Sequence, residues 1–140
     1  MPGANTWSSP RHGAVIEKAG EFLSAGAAVC AICGATTALA GCGLLDQRPH
    51  TSNGPGFLDH VFPGYKGQRF YVDQPSVADH NLITAGWSPG LWLWARQIIE
   101  YLDVFQSDTL EAWYEYFRTG KHEYFYALMK TLPCDNDTAS

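Results

Sequence analysis

The chain has 140 residues, the length of one ordinary domain, and its 46% hydrophobic and 16% charged residues are typical of a globular protein, which excludes a disordered one. The formal net charge is −5, and the nine Lys and Arg residues are scattered along the chain. No basic surface is therefore expected, which argues against nucleic acid or an anionic membrane as a partner.

The N-terminal residues MPGANTWSSPRHG lack the apolar stretch of a signal peptide, so a cytoplasmic location is expected. The four cysteines do not have the spacing of a secreted disulfide framework. Residues 25–45 carry no charge and are long enough to span a membrane, but Ala, Gly, Thr and Cys dominate them. A buried strand followed by a buried helix explains this composition better than a membrane span.

The chain alternates between segments of helical and of extended character. Helices are indicated by apolar residues three and four positions apart, and strands by short apolar runs between turn residues. In the first third of the chain we predict a helix over 10–25 closed by Gly26, a buried strand over 27–32, a turn over 33–35 and a short helix over 36–40. The middle third is predicted to hold strands at 50–52, 69–72, near 77 and at 82–84, with one or two helical turns at 57–62. The last third is predicted to form helices over 91–102, from 107 to Gly120 and over 124–132. This order predicts an α/β sheet with helices on both faces.

The junction between the buried strand and the short helix is where chemistry is expected. Cys33 ends the strand, and the small residues Gly34 and Ala35 allow a sharp turn that lifts a side chain out of the sheet edge. Open α/β sheets bind ligands at this edge. A helix that starts there favours the thiolate, the reactive form of a cysteine. We therefore predict that Cys33 is reactive, with a buried and inert cysteine as the alternative.

Four segments carry a resemblance to a known family. They are PGA at 2–4, AICGATTALA at 31–40, GLLD with HTSN at 43–53, and VADHNLITAG at 77–86. In this order they resemble the Pro-Gly-Gly loop, the nucleophile elbow, the GLLDG…TS segment and the NLITA strand pair of the DJ-1/PfpI (type 1 glutamine amidotransferase-like) superfamily.

The resemblance implies a flavodoxin-like three-layer α/β sandwich. One domain over 1–140 is expected. The resemblance applies to its core at 1–104, the helices at 105–132 form a C-terminal extension that is not general to the superfamily, and the tail at 133–140 is expected to be disordered. Family members usually begin with a strand, a helix and a further strand ahead of the Pro-Gly-Gly loop. The chain is therefore expected to be N-terminally truncated and to lack the acidic residue that relatives place beside the nucleophile.

The site residues implied by the resemblance start from Cys33 as the nucleophile. The N–H groups of Gly34 and of the Gly3–Ala4 turn would form its oxyanion hole, provided that Ala4 has a negative φ.

Relatives often carry a histidine on the next strand as a proton-transferring partner of the cysteine. His50, 17 residues after Cys33, is the best candidate for this base. Alignment on Thr51 and Ser52 instead puts Asn53 at the histidine position, and a structural role for His50 is the alternative.

These residues imply a cysteine-dependent hydrolase, lyase or glyoxalase-like activity on a small carbonyl or amide substrate, in a homodimer without a cofactor. The alternatives are a non-catalytic dimeric stress-response protein, a cysteine redox sensor, or an inactive remnant. Cys30 and Cys33 have C-x-x-C spacing, but residues three apart on a strand face opposite ways. The dispersed His and Cys residues predict no metal site.

The aromatic residues between Trp87 and Phe117 fit core packing best, because most of them recur at helical spacing. A ligand pocket or a dimer face is the alternative.

Overall fold

A computed structural model describes residues 1–132 of the chain, with Pro89 described by its backbone. The disorder predicted for 133–140, and the cysteine at 134, lie outside the described residues. Within them there are six α-helices and one three-stranded sheet. The helices are α1 (Gly13–Ser24), α2 (Ala35–Gly41), α3 (Phe57–Val61), α4 (Leu91–Tyr101), α5 (Ser107–Thr119) and α6 (His122–Thr131), and the strands are β1 (Val29–Ile32), β2 (Ser76–Asp79) and β3 (Leu82–Ala85).

The sheet has the order β1-β3-β2, with β1 parallel to β3 and β2 antiparallel to it. Val29 lies opposite Leu82 and Ile32 lies opposite Ala85. Since parallel strands end at the same edge, the residues that follow β1 and β3 leave the sheet side by side.

Small side chains let the first two helices and β1 pack closely. The core of this region consists of Ala19, Val29, Ala31, Ala35, Leu39, Ala40, Leu45, Leu58, Tyr65 and Leu82. Ala31, Ala35 and Leu39 are fully buried, so β1 and α2 form a rigid base for the turn between them. The buried strand followed by a buried helix is therefore confirmed.

Several predicted elements form with different bounds. The first helix begins as a 3-10 turn at Pro10–His12 before α1, and Gly26 closes it with a φ of 80° as expected. The predicted strand over 27–32 is shorter, because the Ala27 N–H still bonds to Phe22 at the end of α1.

The predicted strands at 50–52 and 69–72 are wrong. One isolated parallel bridge joins His50 to Tyr71, and residues 68–70 form a 3-10 turn. The N–H and the carbonyl of His50 bond to Phe70 and Val72, whereas the Thr51 N–H points to the opposite edge and donates to the hydroxyl of Thr84 at 2.9 Å, so the pairing is confined to this one bridge.

The contacts within the chain divide it into two compact units, residues 1–98 and the residues from 99 onwards. The second unit is built on α5 and α6, which pack against each other. Gly120 ends α5 with a left-handed φ of 69°. Within residues 1–132, no helix combines the length and the hydropathy needed to cross a membrane.

Candidate active site

Cys33 occupies a strained turn between β1 and α2. Its φ is 55°, a left-handed conformation that non-glycine residues rarely adopt. The Cys33 N–H continues the ladder by donating to Ala85 at 2.9 Å, and its carbonyl accepts from the N–H and the hydroxyl of Thr36 at 3.0 and 2.6 Å. The backbone on both sides is therefore fixed while the side chain leaves the sheet edge, which is the sharp turn predicted from the sequence.

The loop at Gly3 and Ala4 lies directly across this turn. A Cβ added at Gly34 would overlap the carbonyl oxygen of Ala4, and one added at Gly3 would lie 3.0 Å from the Cβ and 3.6 Å from the Sγ of Cys33. Glycine is thus needed at both positions because two backbone segments meet there.

Two backbone N–H groups at this contact have no hydrogen-bond partner among the described residues. Among residues 1–132, neither Gly34 nor Ala4 donates its N–H to any protein acceptor. The non-glycine residues with positive φ in this range do not include Ala4, so the condition set for Ala4 from the sequence is met.

A cavity of about 650 Å³ opens above the Cys33 side chain. Its volume lies within the usual range of small-molecule sites. Among the described residues, Cys33 is the one ionisable group in its lining, which consists of Gly3, Ala4, Asn5, Cys33, Asn53 and Trp87.

Asn53 connects Cys33 to the segment after β3. Its side-chain nitrogen lies 3.5 Å from the Sγ of Cys33, and its side-chain oxygen accepts the backbone N–H of Trp87 at 3.0 Å. The preceding residue is anchored as well, because the Ser52 hydroxyl lies 2.7 Å from that of Thr36. Asn53 therefore occupies the place beside the cysteine for which His50 was the leading candidate.

His50 is not brought to Cys33. It is fully buried, with its Nδ1 2.6 Å from the carbonyl of Arg48 and its Nε2 2.5 Å from the hydroxyl of Tyr65. Since a carbonyl can only accept, Nδ1 carries the proton and Nε2 accepts from Tyr65. Both ring nitrogens are thereby occupied, and the prediction that His50 is the base is replaced by its structural alternative.

Burial keeps this histidine and its partner neutral. It lowers the pKa of His50, against an opposing effect of the hydrogen bond to Arg48. Burial, followed by the nearby Asp59 carboxylate, raises the pKa of Tyr65 to about 12. The pair is thus a neutral hydrogen-bonded link inside the core.

Cys30 and Cys33 face different cavities. Cys30 lines an apolar groove of about 480 Å³ beside α1, together with Val15 and Phe22. Burial raises the pKa of the Cys30 thiol, and the ammonium group of Met1, bound to the Cys30 carbonyl at 2.6 Å, opposes this. The C-x-x-C pair therefore does not act as one site. Across residues 1–132, no three His, Cys, Asp or Glu side chains are grouped as metal ligands.

Three residues of the cavity lining were missed as site residues in the sequence, namely Asn5, which follows the Gly3–Ala4 turn, Asn53 and Trp87. The alignment on Thr51 and Ser52 indicated Asn53, but the distance in sequence from Cys33 favoured His50 instead. Trp87 was assigned to core packing with the other aromatic residues, yet 68% of its surface is exposed. Its position directly after β3, whose end lies beside that of β1, was the signal that could have identified it.

The chain matches the model of the DJ-1/PfpI family over residues 1–101. It is 44% identical over 132 residues to an uncharacterized protease, YoaZ, of Bacillus subtilis, in a match covering 94% of this chain. The crystal structure of a thiJ/pfpI family protein from Bacillus anthracis superposes with a TM-score of 0.89 at 43% identity, over 94% of this chain. A DJ-1 superfamily protein from Agrobacterium tumefaciens, Atu0886, gives a TM-score of 0.69 at 28% identity, over 84% of it. This chain spans 62% of the length of each of these three proteins.

Proposed function

Because this chain belongs to the DJ-1/PfpI family and shares its flavodoxin-like α/β fold, we propose that Cys33 is a nucleophile acting on a small carbonyl compound bound in the adjacent cavity. The observation that carries the proposal is the left-handed φ of 55° at Cys33. Backbone strain of this kind costs about 1–3 kcal/mol and persists where the surrounding structure maintains it, most often at functional sites.

The proposed step needs an acceptor for the negative charge that forms on the substrate oxygen. The Cys33 thiolate adds to the carbonyl carbon, a sulfur–carbon bond forms, and the electron pair of the C=O bond moves to oxygen. The free N–H groups of Gly34 and Ala4 are available as donors to this oxyanion. A donor of this type contributes about 10² to 10³ in rate. Water supplies the proton that completes the thiohemiacetal.

The residues that line the cavity favour an aldehyde or ketone over an amide as the substrate. Hydrolysis of an amide expels an amine, which must be protonated as it leaves, and a positioned acid normally supplies that proton. Apart from Cys33, no ionisable side chain among the described residues lines the cavity. Addition to a glyoxal-type aldehyde expels no group and needs no such acid. The name of the Bacillus subtilis relative, a protease, makes peptides the second substrate class to test.

A redox sensor is the second candidate function. It is favoured by the partial exposure of Cys33 and by the same lack of an acid or base in the described lining. In this role the thiolate attacks a peroxide oxygen, a sulfur–oxygen bond forms, the O–O bond breaks, and the second oxygen leaves as water after protonation. Cys33 becomes a sulfenic acid while the peroxide is reduced.

The two functions are separated by comparing the wild-type chain with Cys33→Ala, using Cys42→Ala as a matched cysteine control. With methylglyoxal as the probe, we expect consumption by the wild type and by Cys42→Ala, and a loss of about 10²-fold or more in Cys33→Ala. Consumption that persists in Cys33→Ala would overturn the proposal. No consumption by the wild type, together with peroxide-dependent sulfenic acid at Cys33, would establish the sensor instead. A peptide-amide substrate tests the protease class in parallel.

The proposal includes a cytoplasmic homodimer, as the resemblance implies. Light scattering after size-exclusion chromatography measures the mass in solution. A mass of 15.4 kDa, that of one chain, would contradict the dimer.

A further inference from the structure

We propose that Asn53 is a positioning residue that holds its amide nitrogen toward the Sγ of Cys33, and that the backbone N–H of Trp87 fixes this orientation. The inference rests on the proposed function of Cys33 and adds to it the residue that places a hydrogen-bond donor beside the reactive sulfur.

The orientation of the amide follows from the chemistry of its two partners. A backbone N–H can only donate, so the atom of Asn53 that lies 3.0 Å from the Trp87 nitrogen must be the oxygen. The NH₂ group is then left on the other side of the amide, 3.5 Å from the Sγ of Cys33. Its N–H group donates to the sulfur, and this bond is stronger to a thiolate than to a thiol.

The backbone around the amide is packed too tightly to allow another arrangement at low cost. A Cβ added at Gly86 would lie 2.5 Å from the carbonyl oxygen of Ser52 and 3.4 Å from the Cα of Asn53. The Ser52 hydroxyl donates to that of Thr36, because the Thr36 proton is already donated to the Cys33 carbonyl. The segment that carries Asn53 is therefore tied both to the end of β3 and to the turn that carries the cysteine.

Asn53 cannot take up the proton of Cys33, unlike a histidine at this position. The elements around the sulfur are the loop at 3–5, the segment at 52–53, the residues 85–87 and the start of α2. None of the residues in these segments has an ionisable side chain. The ammonium group of Met1 binds the carbonyl of Cys30, on the groove side of β1. The side chain of these segments that donates a hydrogen bond to the sulfur is therefore the neutral amide of Asn53.

The test is the rate at which Cys33 displaces iodide from iodoacetamide, followed by peptide mass spectrometry between pH 5 and 10 in the full chain. In Asn53→Asp, an oxygen still accepts from Trp87, but a carboxylate replaces the donor that faces the sulfur. We expect the midpoint of the pH–rate curve to rise by about one unit, because a like charge disfavours the thiolate. Asn5→Asp is the matched control, since it adds a carboxylate to the same cavity lining without a hydrogen bond to Cys33. Equal midpoints in Asn53→Asp and the wild type, or an equal rise in Asn5→Asp, would overturn the inference.

A second pair of variants isolates the Trp87 N–H. Trp87→Ala removes the indole and keeps the N–H, whereas Trp87→Pro removes both. The φ of −70° at Trp87 already suits proline. We expect Trp87→Ala to keep the wild-type midpoint and Trp87→Pro to raise it, because the released amide can turn its oxygen toward the sulfur. The same midpoint in both variants, with thermal unfolding showing both folded, would overturn the fixing role of the N–H.

The wild type separates this inference from the proposed function. If Cys33 reacts no faster than N-acetylcysteine at neutral pH, the nucleophile proposal fails. If Cys33 is fast but its midpoint is insensitive to Asn53, only the positioning role fails.

Discussion

His50 and Asn53 are three residues apart, yet only one of them reaches the cysteine. His50 has no exposed surface, and each of its ring nitrogens has a partner of its own. Asn53 lies at the surface of the cavity and joins the cysteine to the segment after β3. His50 therefore has a structural role, and the side chain next to Cys33 is the amide of Asn53.

Removing the Tyr65 hydroxyl tests the structural role of His50. Tyr65→Phe leaves the Nε2 of His50 as a buried acceptor without its donor, and such a group costs about 1–3 kcal/mol. We expect the free energy of unfolding in urea to fall by that amount, while the alkylation rate of folded Cys33 stays at the wild-type value. Slower alkylation of Cys33 with unchanged stability would instead show that the pair serves the site.

The lowered pKa of His50 predicts that the protein loses stability in mild acid. Between this lowered value and about 6.5, the unfolded chain binds a proton that the folded chain does not. The free energy of unfolding therefore rises with pH across this window, and the stabilisation is lost as the pH falls below about 6.5.

Urea titrations at pH 5 to 7.5 measure this slope. His50→Gln should be less stable at neutral pH but should show a flatter dependence. His80→Gln, at a side chain that is 91% exposed, should keep the wild-type slope. A slope that is the same in all three proteins would contradict the assignment to His50.

At the level of the elements, the contact between the loop at 3–4 and the start of α2 defines the site. Gly34→Ala forces a Cβ onto the carbonyl oxygen of Ala4, so the loop must move away from the cysteine. We expect a loss of about 1–3 kcal/mol in stability and a fall in Cys33-dependent turnover.

Gly41→Ala is the matched control for this change. A Cβ at Gly41, the last residue of α2, meets no atom within 4 Å. The substitution should be neutral or stabilising by up to about 1 kcal/mol, because alanine favours the helix. Equal effects of the two substitutions on turnover would show that the loop contact is not part of the site.

The sequence predicted well the elements whose hydrogen bonds are local or whose apolar residues form a clear pattern. The hairpin of β2 and β3 has both, since the two-residue turn at His80 and Asn81 makes its hydrogen bonds local and β3 is a short, mostly apolar run. The failed strands at 50–52 and 69–72 meet in one bridge, and on the opposite edge the Thr51 N–H donates to a distant side chain, the Thr84 hydroxyl, where a regular strand would have bonded to a backbone carbonyl. Such a competition between a side chain and a backbone acceptor leaves no periodic signal in the sequence.

For the candidate site, the small residues after Cys33 predicted the turn, and the family resemblance implied that Gly3 and Ala4 lie beside it. The sequence did not decide which residue faces the sulfur. Sequence spacing favoured His50, but which side chain points toward the sulfur depends on the orientation of residues 50–53, and this segment is not a regular strand. Trp87 was assigned to the core because an aromatic residue after a strand suits a core as well as a cavity, although its place near the ends of β1 and β3 was a signal for the site.

At the scale of the whole molecule, the strand β1 has one edge without a partner strand. Its other edge pairs with β3, and on that side the N–H of Val29 donates to Asn81, just before β3, and the N–H of Cys33 donates to Ala85. Alternation along the strand turns the N–H of Cys30 toward the open edge, where the described residues give it no acceptor. Met1 occupies part of this edge, because its ammonium group binds the Cys30 carbonyl and its own carbonyl accepts the N–H of Ile32. The apolar groove of about 480 Å³ lies beside Met1 and Cys30, so apolar surface adjoins the N–H that has no acceptor.

This groove should bind an amphipathic fluorescent probe such as 1-anilinonaphthalene-8-sulfonate. Phe22, 48% exposed, supplies the largest side chain of its lining. Phe22→Lys replaces the ring with a charge and removes about 1–2 kcal/mol of apolar contact, so we expect the affinity for the probe to fall about tenfold. Phe125→Lys is the control, because Phe125 has a similar exposure of 40% but belongs to the other unit, on α6. If both substitutions reduce binding equally, the probe reports general apolar surface, and the open edge of β1 has no particular affinity for apolar ligands.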